Sequence, residues 1–193
     1  MILNELTAVP TSAIPVTAFS EHLHLGSGFT DAGGQDTVLE TYLRAALAAL
    51  EARSGLALFQ RRFSWGLYAW NNPNFQRMPN APVQLIETLR LLSSNGEETL
   101  IDSEDFRLQK VGHQSRLLAT GACLPFNGSV EIIFEAGFGP DWTDIPADLR
   151  QATLMLAAYH YENRNGADGG QFPAGVLALL EPYRAYRLSG GAA

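Results

Sequence analysis

The chain has 193 residues, of which 46% are hydrophobic and only 17% are charged, and its formal net charge is −7. A chain of this length supports one domain with a sizeable core, and its low share of charged residues indicates either a surface that other subunits cover or a large aromatic core. The excess of carboxylates, together with the lack of a basic run, argues against tight binding of nucleic-acid phosphates.

The first segment predicts an arm and a short helix. Residues 1–16 contain prolines and lack periodicity, so we expect an extended, flexible arm. Thr17 then caps a short helix that ends near Leu25. The glycine-rich stretch 26–34 lacks the lysine and the preceding strand of a phosphate loop, which favours a linker.

The clearest helix is predicted over residues 35–53. Its apolar residues recur at i, i+3 and i+4 and form one stripe. Glu40 and Arg44 lie one turn apart on the other side and are expected to pair, and Gly55 marks the end of the helix. The stripe consists of Val38, Leu39, Tyr42, Leu43, Ala46, Leu47 and Leu50.

Residues 56–140 are predicted to be β-rich. One strand places Phe59, Arg61, Phe63, Trp65 and Leu67 on a single face. An Asn-Gly turn at positions 95–96 predicts a hairpin. The other expected strands are residues 83–92, 98–101, 106–108, 116–118 and 130–135, and the last of them alternates with Val130, Ile132 and Phe134 on one face. The long polar loop 71–81 is typical of a functional or disordered segment.

The last part of the chain returns to helices. Asp144 and Pro146 are a capping acid and a first-turn proline, and they predict a helix over residues 146–164. A short apolar helix over 173–180 follows, and the tail is frayed. We therefore predict an α+β fold with one domain. A small helical bundle (17–54 and 146–186) carries a β-rich insertion (56–140) between its main helices, and residues 1–16 and 187–193 are flexible arms.

Candidate reactive residues do not assemble into a recognisable site. His160 is a possible general base, but Glu162 is two residues away and would point about 200° from it on a helix. His22, His24 and His113 lack the spacing of a metal site. We therefore expect no catalytic residue, cofactor or metal, and a small soluble enzyme that uses His160 is the minor alternative.

The use of cysteine and the hydropathy of the chain indicate the cellular compartment in which the protein is made. Cys123 is the only cysteine, so an internal disulfide is impossible and a buried apolar role is expected. The first fifteen residues carry no basic residue, and no apolar run reaches the ~18 residues that span a bilayer. We expect a soluble protein made in a reducing compartment, with no membrane partner.

Two sets of residues stay open. Trp65 and Trp70 either fill the core of the β-rich part or form a patch that awaits a partner. Seven acidic residues are singly expected to be solvated; in a ring they would line a channel or meet arginines of the next subunit. These are Glu87, Asp102, Glu104, Asp105, Asp141, Asp144 and Asp148.

The order of several short motifs resembles the head–tail connector (adaptor) family of long-tailed phages and phage-like gene transfer agents. These motifs are P-V-T at 15–17, M-P-N-A-P-V at 78–83, A-G-F-G at 136–139, I-P at 145–146, Y-E-N-R at 161–164 and P-A-G-V at 173–176. The resemblance covers most of the chain from Pro15 to Arg187. The stretch 63–76 does not match the family pattern.

The resemblance implies a structural protein of a virion neck, made in the bacterial cytoplasm. It would form a ring, a dodecamer by the resemblance, under the portal protein and join it to a stopper or tail-completion protein, and DNA would pass without specific binding. A stopper or tail-completion protein of the same neck is the alternative function. Six residues combine aromatic and arginine anchors and are the candidate interface residues. They are Tyr161, Arg164, Tyr183, Arg184, Tyr186 and Arg187.

Overall fold

The chain folds into two compact units. The computed structural model describes residues 2–25, 35–69, 75–119, 128–164 and 172–183. One unit, here called the β unit, comprises Met1–Ile14 and Gly55–Ile145, and the helical unit comprises Pro15–Ser54 and Pro146–Ala193. Helical segments thus flank a β-rich insertion in the sequence, and the predicted α+β fold is confirmed. Within the described residues, no helix has the length and apolar character needed to cross a membrane.

The helical unit contains four described α-helices. They are α1 (Val16–His22), α2 (Gln35–Ser54), α3 (Ala147–Glu162) and α4 (Ala174–Leu180). Helix α2 packs against α1 and α3, and α3 also packs against α4. The predicted stripe of α2 is the buried one at Leu39, Leu43, Ala46, Leu47 and Leu50. Val38 departs from the prediction because it lies at the edge of the stripe, where 46% of its surface stays exposed.

The ends and the polar face of α2 follow from local chemistry. Arg44 Nε donates to Glu40 Oε1 at 2.8 Å, which confirms the predicted pair one turn apart. Ser54 Oγ donates to the carbonyl oxygen of Leu50 at 2.7 Å in the last turn. The helix ends at Ser54, directly before the glycine that predicted its end.

Helix α3 buries a threonine that the apolar pattern does not mark. Thr153 is fully buried, and its hydroxyl donates to the Leu149 carbonyl at 2.8 Å, so burial leaves no donor unsatisfied. The predicted cap is wrong: Asp144 does not cap α3. Asp144 Oδ2 accepts from the backbone N–H of Asp141 at 2.9 Å and closes a separate 3-10 turn, while Pro146 occupies the N-cap position.

The β unit contains eight described strands in two antiparallel sheets. They are β1 (Ile2–Glu5), β2 (Arg61–Leu67), β3 (Phe75–Arg77), β4 (Val83–Ser93), β5 (Glu98–Leu100), β6 (Phe106–Val111), β7 (Gln114–Ala119) and β8 (Gly128–Ala136). The large sheet has the order β1-β2-β8-β4-β5, and the small sheet has the order β3-β7-β6.

The core of the β unit lies on one face of the large sheet. Alternate residues of β2 and β8 are buried there, namely Phe63, Trp65, Leu67, Val130, Ile132 and Phe134, and the rings of Phe63 and Phe134 stack 5.5 Å apart. Arg61, predicted on the same face, is half-buried. Leu117 from the small sheet and Met78 belong to the same core cluster. Trp65 is 1% exposed and therefore fills this core, whereas Trp70 lies outside the described residues.

The N-terminal segment is extended but paired, in contrast to the predicted flexible arm. Strand β1 pairs with β2 in antiparallel register, with Leu3 opposite Trp65. Glu5 Oε2 accepts from Arg61 Nη1 at 2.8 Å. The pairing has a physical cause, because the outer edge of β2 would otherwise present unsatisfied backbone groups.

The small sheet is larger than the sequence predicts. Strands β6 and β7 extend the predicted segments 106–108 and 116–118 and join at Gly112, whose φ is +58°. Strand β3 lies within the predicted loop 71–81. The sequence does not predict this strand, because three residues are too few to show an alternating pattern.

A turn at Gly137 directly follows the central strand β8. The φ of Gly137 is +134°, and a Cβ there would lie 2.3 Å from the carbonyl oxygen of Phe59. An L-residue at this position therefore meets both backbone strain and a clash with a neighbouring main chain.

We predict that Gly137→Ala lowers the free energy of unfolding by about 3 kcal/mol or more, since strain and overpacking add. The matched control is Gly112→Ala, because Gly112 also has a positive φ but has open space around it. That variant should lose about 1 kcal/mol. Urea unfolding of both variants measures the difference, and equal losses would contradict the close approach at Gly137.

Candidate interface surfaces

The A-G-F-G motif forms a junction with the M-P-N-A-P-V motif. The Gly137 N–H donates to the Pro82 carbonyl at 2.9 Å, and Gln84 Nε2 donates to the Gly137 carbonyl at 2.7 Å. The Phe138 N–H donates to the Leu58 carbonyl at 3.2 Å. Both motifs therefore position strands of the β unit.

The M-P-N-A-P-V motif is tied to the small sheet as well. Met78 N–H donates to the Ser115 carbonyl at 3.0 Å, and Val83 N–H donates to the buried Ser115 Oγ at 3.1 Å. Ala81 exchanges backbone hydrogen bonds with Gly55 and Ala57. The residues that carry the resemblance in this half of the chain are scaffold residues.

The Y-E-N-R motif closes helix α3. The rings of Tyr161 and Tyr42 meet edge to face at 5.6 Å, and the Arg164 guanidinium lies 4.3 Å from the centre of the Tyr161 ring. Arg164 Nε donates to the Tyr161 carbonyl at 2.9 Å, and Asn163 donates to the Tyr159 carbonyl. These bonds satisfy carbonyls that the end of the helix leaves free. Tyr161 is half-buried and Arg164 is exposed, so Arg164 is the more accessible of these two candidate interface residues.

His160 lies in a setting that does not resemble an acid–base site. Its side chain is half-buried, and its ring lies 6.0 Å from that of Tyr159. Burial lowers the pKa of His160 from its ordinary value of 6.5, which favours the neutral form. Among the described residues, no carboxylate or nucleophile is hydrogen-bonded to it.

The lowered pKa of His160 predicts a pH dependence of stability. The unfolded chain binds the proton more tightly, so the free energy of unfolding should fall as the pH drops through 6.5. His160→Gln should lose less stability than the wild type between about pH 7.5 and about pH 5.5. Urea unfolding at the two pH values measures the difference. His113→Gln is the control, because His113 is exposed; an equal effect of both variants would contradict the assignment.

Tyr183 is part of the folded helical unit. Its ring is 7% exposed, and its hydroxyl donates to Asp148 Oδ1 in the first turn of α3 at 2.8 Å. Burial, and then this hydrogen bond, raise the pKa of Tyr183 above its ordinary value. Among the candidate interface residues, Tyr183 is thus an anchor within the fold, and Arg184, Tyr186 and Arg187 lie outside the described residues.

We predict that Tyr183→Phe lowers the free energy of unfolding by about 1 kcal/mol, because it removes one hydrogen bond and keeps the ring. Tyr183→Ala should cost about 3–5 kcal/mol, since it also empties a buried site. Thermal or urea unfolding distinguishes the two. A loss of similar size in both variants would show that ring packing is not the main contribution.

Several carboxylates are bound within the chain, and one of them is Glu87, which the sequence predicts to be solvated. Glu87 forms a two-point contact with Arg62, at 2.8 and 2.5 Å, and this contact lowers the pKa of Glu87. Arg90 contacts Glu131 at 3.1 Å and Glu98 at 3.2 Å on the same side of the large sheet. The sequence misses the pairs Arg62–Glu87 and Arg90–Glu131 because their members lie on different strands, far apart along the chain.

Each unit contains a cavity lined by described residues. One in the helical unit has a volume of about 410 Å³ and is lined by Arg53, Leu177, Ala178, Leu180 and Glu181. One in the β unit, of about 220 Å³, lies beside Ile2, Gly66, Tyr68 and Leu92. Among the described residues, neither lining contains a histidine, a cysteine or a pair of carboxylates. In the described part of the chain, no cluster of His, Cys, Asp and Glu suited to a metal ion is found.

No protein-family model and no curated protein sequence matches the chain. Solved structures do match over 99% of both chains. A chain described as "Neck of empty GTA particle computed with C6 symmetry" is 46% identical with a TM-score of 0.87. One from the "Virion of native gene transfer agent (GTA) particle" is 46% identical with a TM-score of 0.84. One from the "Neck of native GTA particle computed with C12 symmetry" is 43% identical with a TM-score of 0.81.

The chain belongs to this family of structural neck proteins of gene transfer agent particles, since identities of 43–46% extend over its full length. The similarity confirms the predicted resemblance to neck proteins of phages and gene transfer agents. It also confirms the virion neck as the location of the family.

Proposed function

We propose that this protein is the head–tail adaptor of a tailed phage or gene transfer agent particle, forming a ring between the portal protein and the stopper or tail-completion protein. The observation that carries the proposal is the full-length similarity to chains of particle necks solved with sixfold and twelvefold symmetry. The order of the sequence motifs resembles that of the adaptor family, and this resemblance favours an adaptor over other neck proteins. DNA would pass through the ring without specific contact, as the net charge of −7 favours.

The symmetries of the relatives favour a ring of twelve. A chain in a neck with twelvefold symmetry repeats in multiples of twelve, and a twelve-membered ring also satisfies sixfold symmetry. A six-membered ring satisfies only the sixfold case. A closed ring needs a heterologous contact, in which two different surfaces of each copy meet.

A stopper or tail-completion protein of the same neck is the second candidate, because similarity to chains of particle necks fits either neck component. The two candidates differ in their main partner. A pull-down with purified portal and with the tail tube separates them: an adaptor binds the portal more tightly, and a stopper binds the tail side. The minor alternative is an enzyme that uses His160. In that case the His160→Ala variant would lose activity and would still assemble into the neck.

We propose that the portal-docking segment is the tail that begins after Tyr183. Tyr183 fixes the start of the segment to α3 through its buried ring and its bond to Asp148. Arg184, Tyr186 and Arg187 then supply arginine and aromatic anchors of the kind that dominate interfaces. Tyr161 and Arg164 are proposed to face a neighbouring protein at the end of α3.

Deletion of residues 184–193 should weaken portal binding at least about tenfold, because it removes the aromatic and arginine anchors but no described part of the fold. Deletion of residues 188–193 is the matched control, since it keeps all three anchors, and it should bind as the wild type does. Binding to immobilised portal measures both. Unchanged binding of the longer deletion would remove the tail from the interface.

A further inference from the structure

One face of the small sheet is basic in a chain that is otherwise acidic. Strands β3, β6 and β7 contain four of the thirteen basic residues and none of the twenty acidic residues. Strand register places Arg77 opposite Arg116, and Arg116 opposite Gln109. Arg107 lies opposite Leu118 and therefore on the same face. We call this face, with Arg77, Arg107 and Arg116, the basic face.

The opposite face of the small sheet belongs to the core. Leu117 is fully buried, and Gln76 and Ser115 are each 2% exposed. The basic face carries the alternate residues, and Arg77 and Arg107 on it are exposed. Arg77 and Arg107 are thus presented to solvent on a three-stranded sheet.

The three arginines lack carboxylate partners within the described residues. Arg116 is half-buried, its guanidinium lies 4.7 Å from the centre of the Phe75 ring, and its Nε has no hydrogen-bond partner among the described residues. Like charges directly opposite each other on neighbouring strands, as Arg77 and Arg116 are, destabilise a sheet. A bound group that carries several carboxylates would remove this repulsion.

The same unit carries a matching acidic segment. Residues 97–105 contain five of the twenty acidic residues and no basic residue: Glu97, Glu98, Asp102, Glu104 and Asp105. All five are exposed. Some have contacts within the chain, such as Glu98 with Arg90 at 3.2 Å, but the segment has a large excess of negative charge. The β unit therefore carries both a basic face and an acidic segment.

We propose that the basic face of one copy docks on the acidic segment, residues 97–105, of the next copy in the ring. This inference rests on the proposed ring function and assigns its heterologous contact. The two surfaces differ, as a head-to-tail ring requires, and arginines form the planar two-point bonds with carboxylates that fix register. Stacking on Phe75 preorganises Arg116 for this role.

A nucleic acid fits the basic face less well. Affinity for phosphates grows with the number of cations that meet the backbone. The face offers three arginines, and the rest of the chain is strongly acidic. The observations therefore favour a carboxylate-bearing protein surface.

Charge reversal tests the contact. Arg77→Glu with Arg107→Glu changes two exposed residues, and Glu97→Lys with Asp102→Lys changes two exposed residues of the acidic segment. Each double variant should enter the neck at least about tenfold less than the wild type, because like charges then meet across the contact. The quadruple variant, which has both reversals, should regain incorporation. Copies per particle, measured relative to the portal in cells without the native gene, give the readout.

Lys110→Glu is the matched control, since Lys110 lies on the opposite face of the same sheet and contacts Gln84. It should enter the neck normally. Normal incorporation of both double variants, or failure of the quadruple variant to recover while it folds normally, would overturn the contact. Failure of the wild type to enter the neck would instead overturn the proposed function.

Duplex DNA gives the last arm of the test. Fluorescence anisotropy with a labelled duplex at low salt should show no difference between the wild type and the Arg77→Glu, Arg107→Glu variant. Wild-type binding that this variant loses and the quadruple variant does not regain would assign the face to nucleic acid and overturn the proposal.

Discussion

The close approach of backbones around Gly137 is the constraint on which the β unit depends. At this turn the chain leaves the central strand β8 and bonds to Pro82 on one side and Leu58 on the other. Two residues later, a Cβ on Gly139 would lie 2.3 Å from Asp144 Oδ2. Side chains have no room at either glycine, so the main chain itself joins β4, β8 and the segment before β2.

Arginine chemistry recurs across both units. Among the described residues, guanidinium groups stack on aromatic rings at four places: Arg53 on Phe172, Arg61 on Phe63, Arg116 on Phe75 and Arg164 on Tyr161. A planar, weakly hydrated cation tolerates such contacts better than an ammonium group does. The single lysine of the chain accords with this use of charge as a packing element as well as a solubilising one.

The elements with long periodic patterns were predictable, and those fixed by distant pairing were not. The stripe of α2 and the alternation of β8 mark their buried residues correctly because the period reports directly on one buried face. Strands β1 and β3 are short and gain their hydrogen bonds from β2 and β7, which no local pattern records. Asp144 has the spacing of a helix cap, but a 3-10 turn intervenes and takes its carboxylate.

The same distinction applies to the surfaces. The motif order was sufficient to indicate the neck family, yet most of the motif residues hold the scaffold together and contact no described cavity. The basic face needs the register of three strands, because Arg77 and Arg116 become neighbours only through the pairing of β3 with β7. The tail residues could be proposed as anchors from their chemistry, and the structure adds the fixed point from which they start.

The buried position of Tyr183 limits how far from the helical unit a partner of the proposed docking segment can lie. An extended chain advances at most about 3.6 Å per residue, so the Cα atom of Arg187, four residues after Tyr183, lies within about 14 Å of the Cα atom of Tyr183. A portal protein held through this arginine, as proposed above, would therefore lie close to the helical unit.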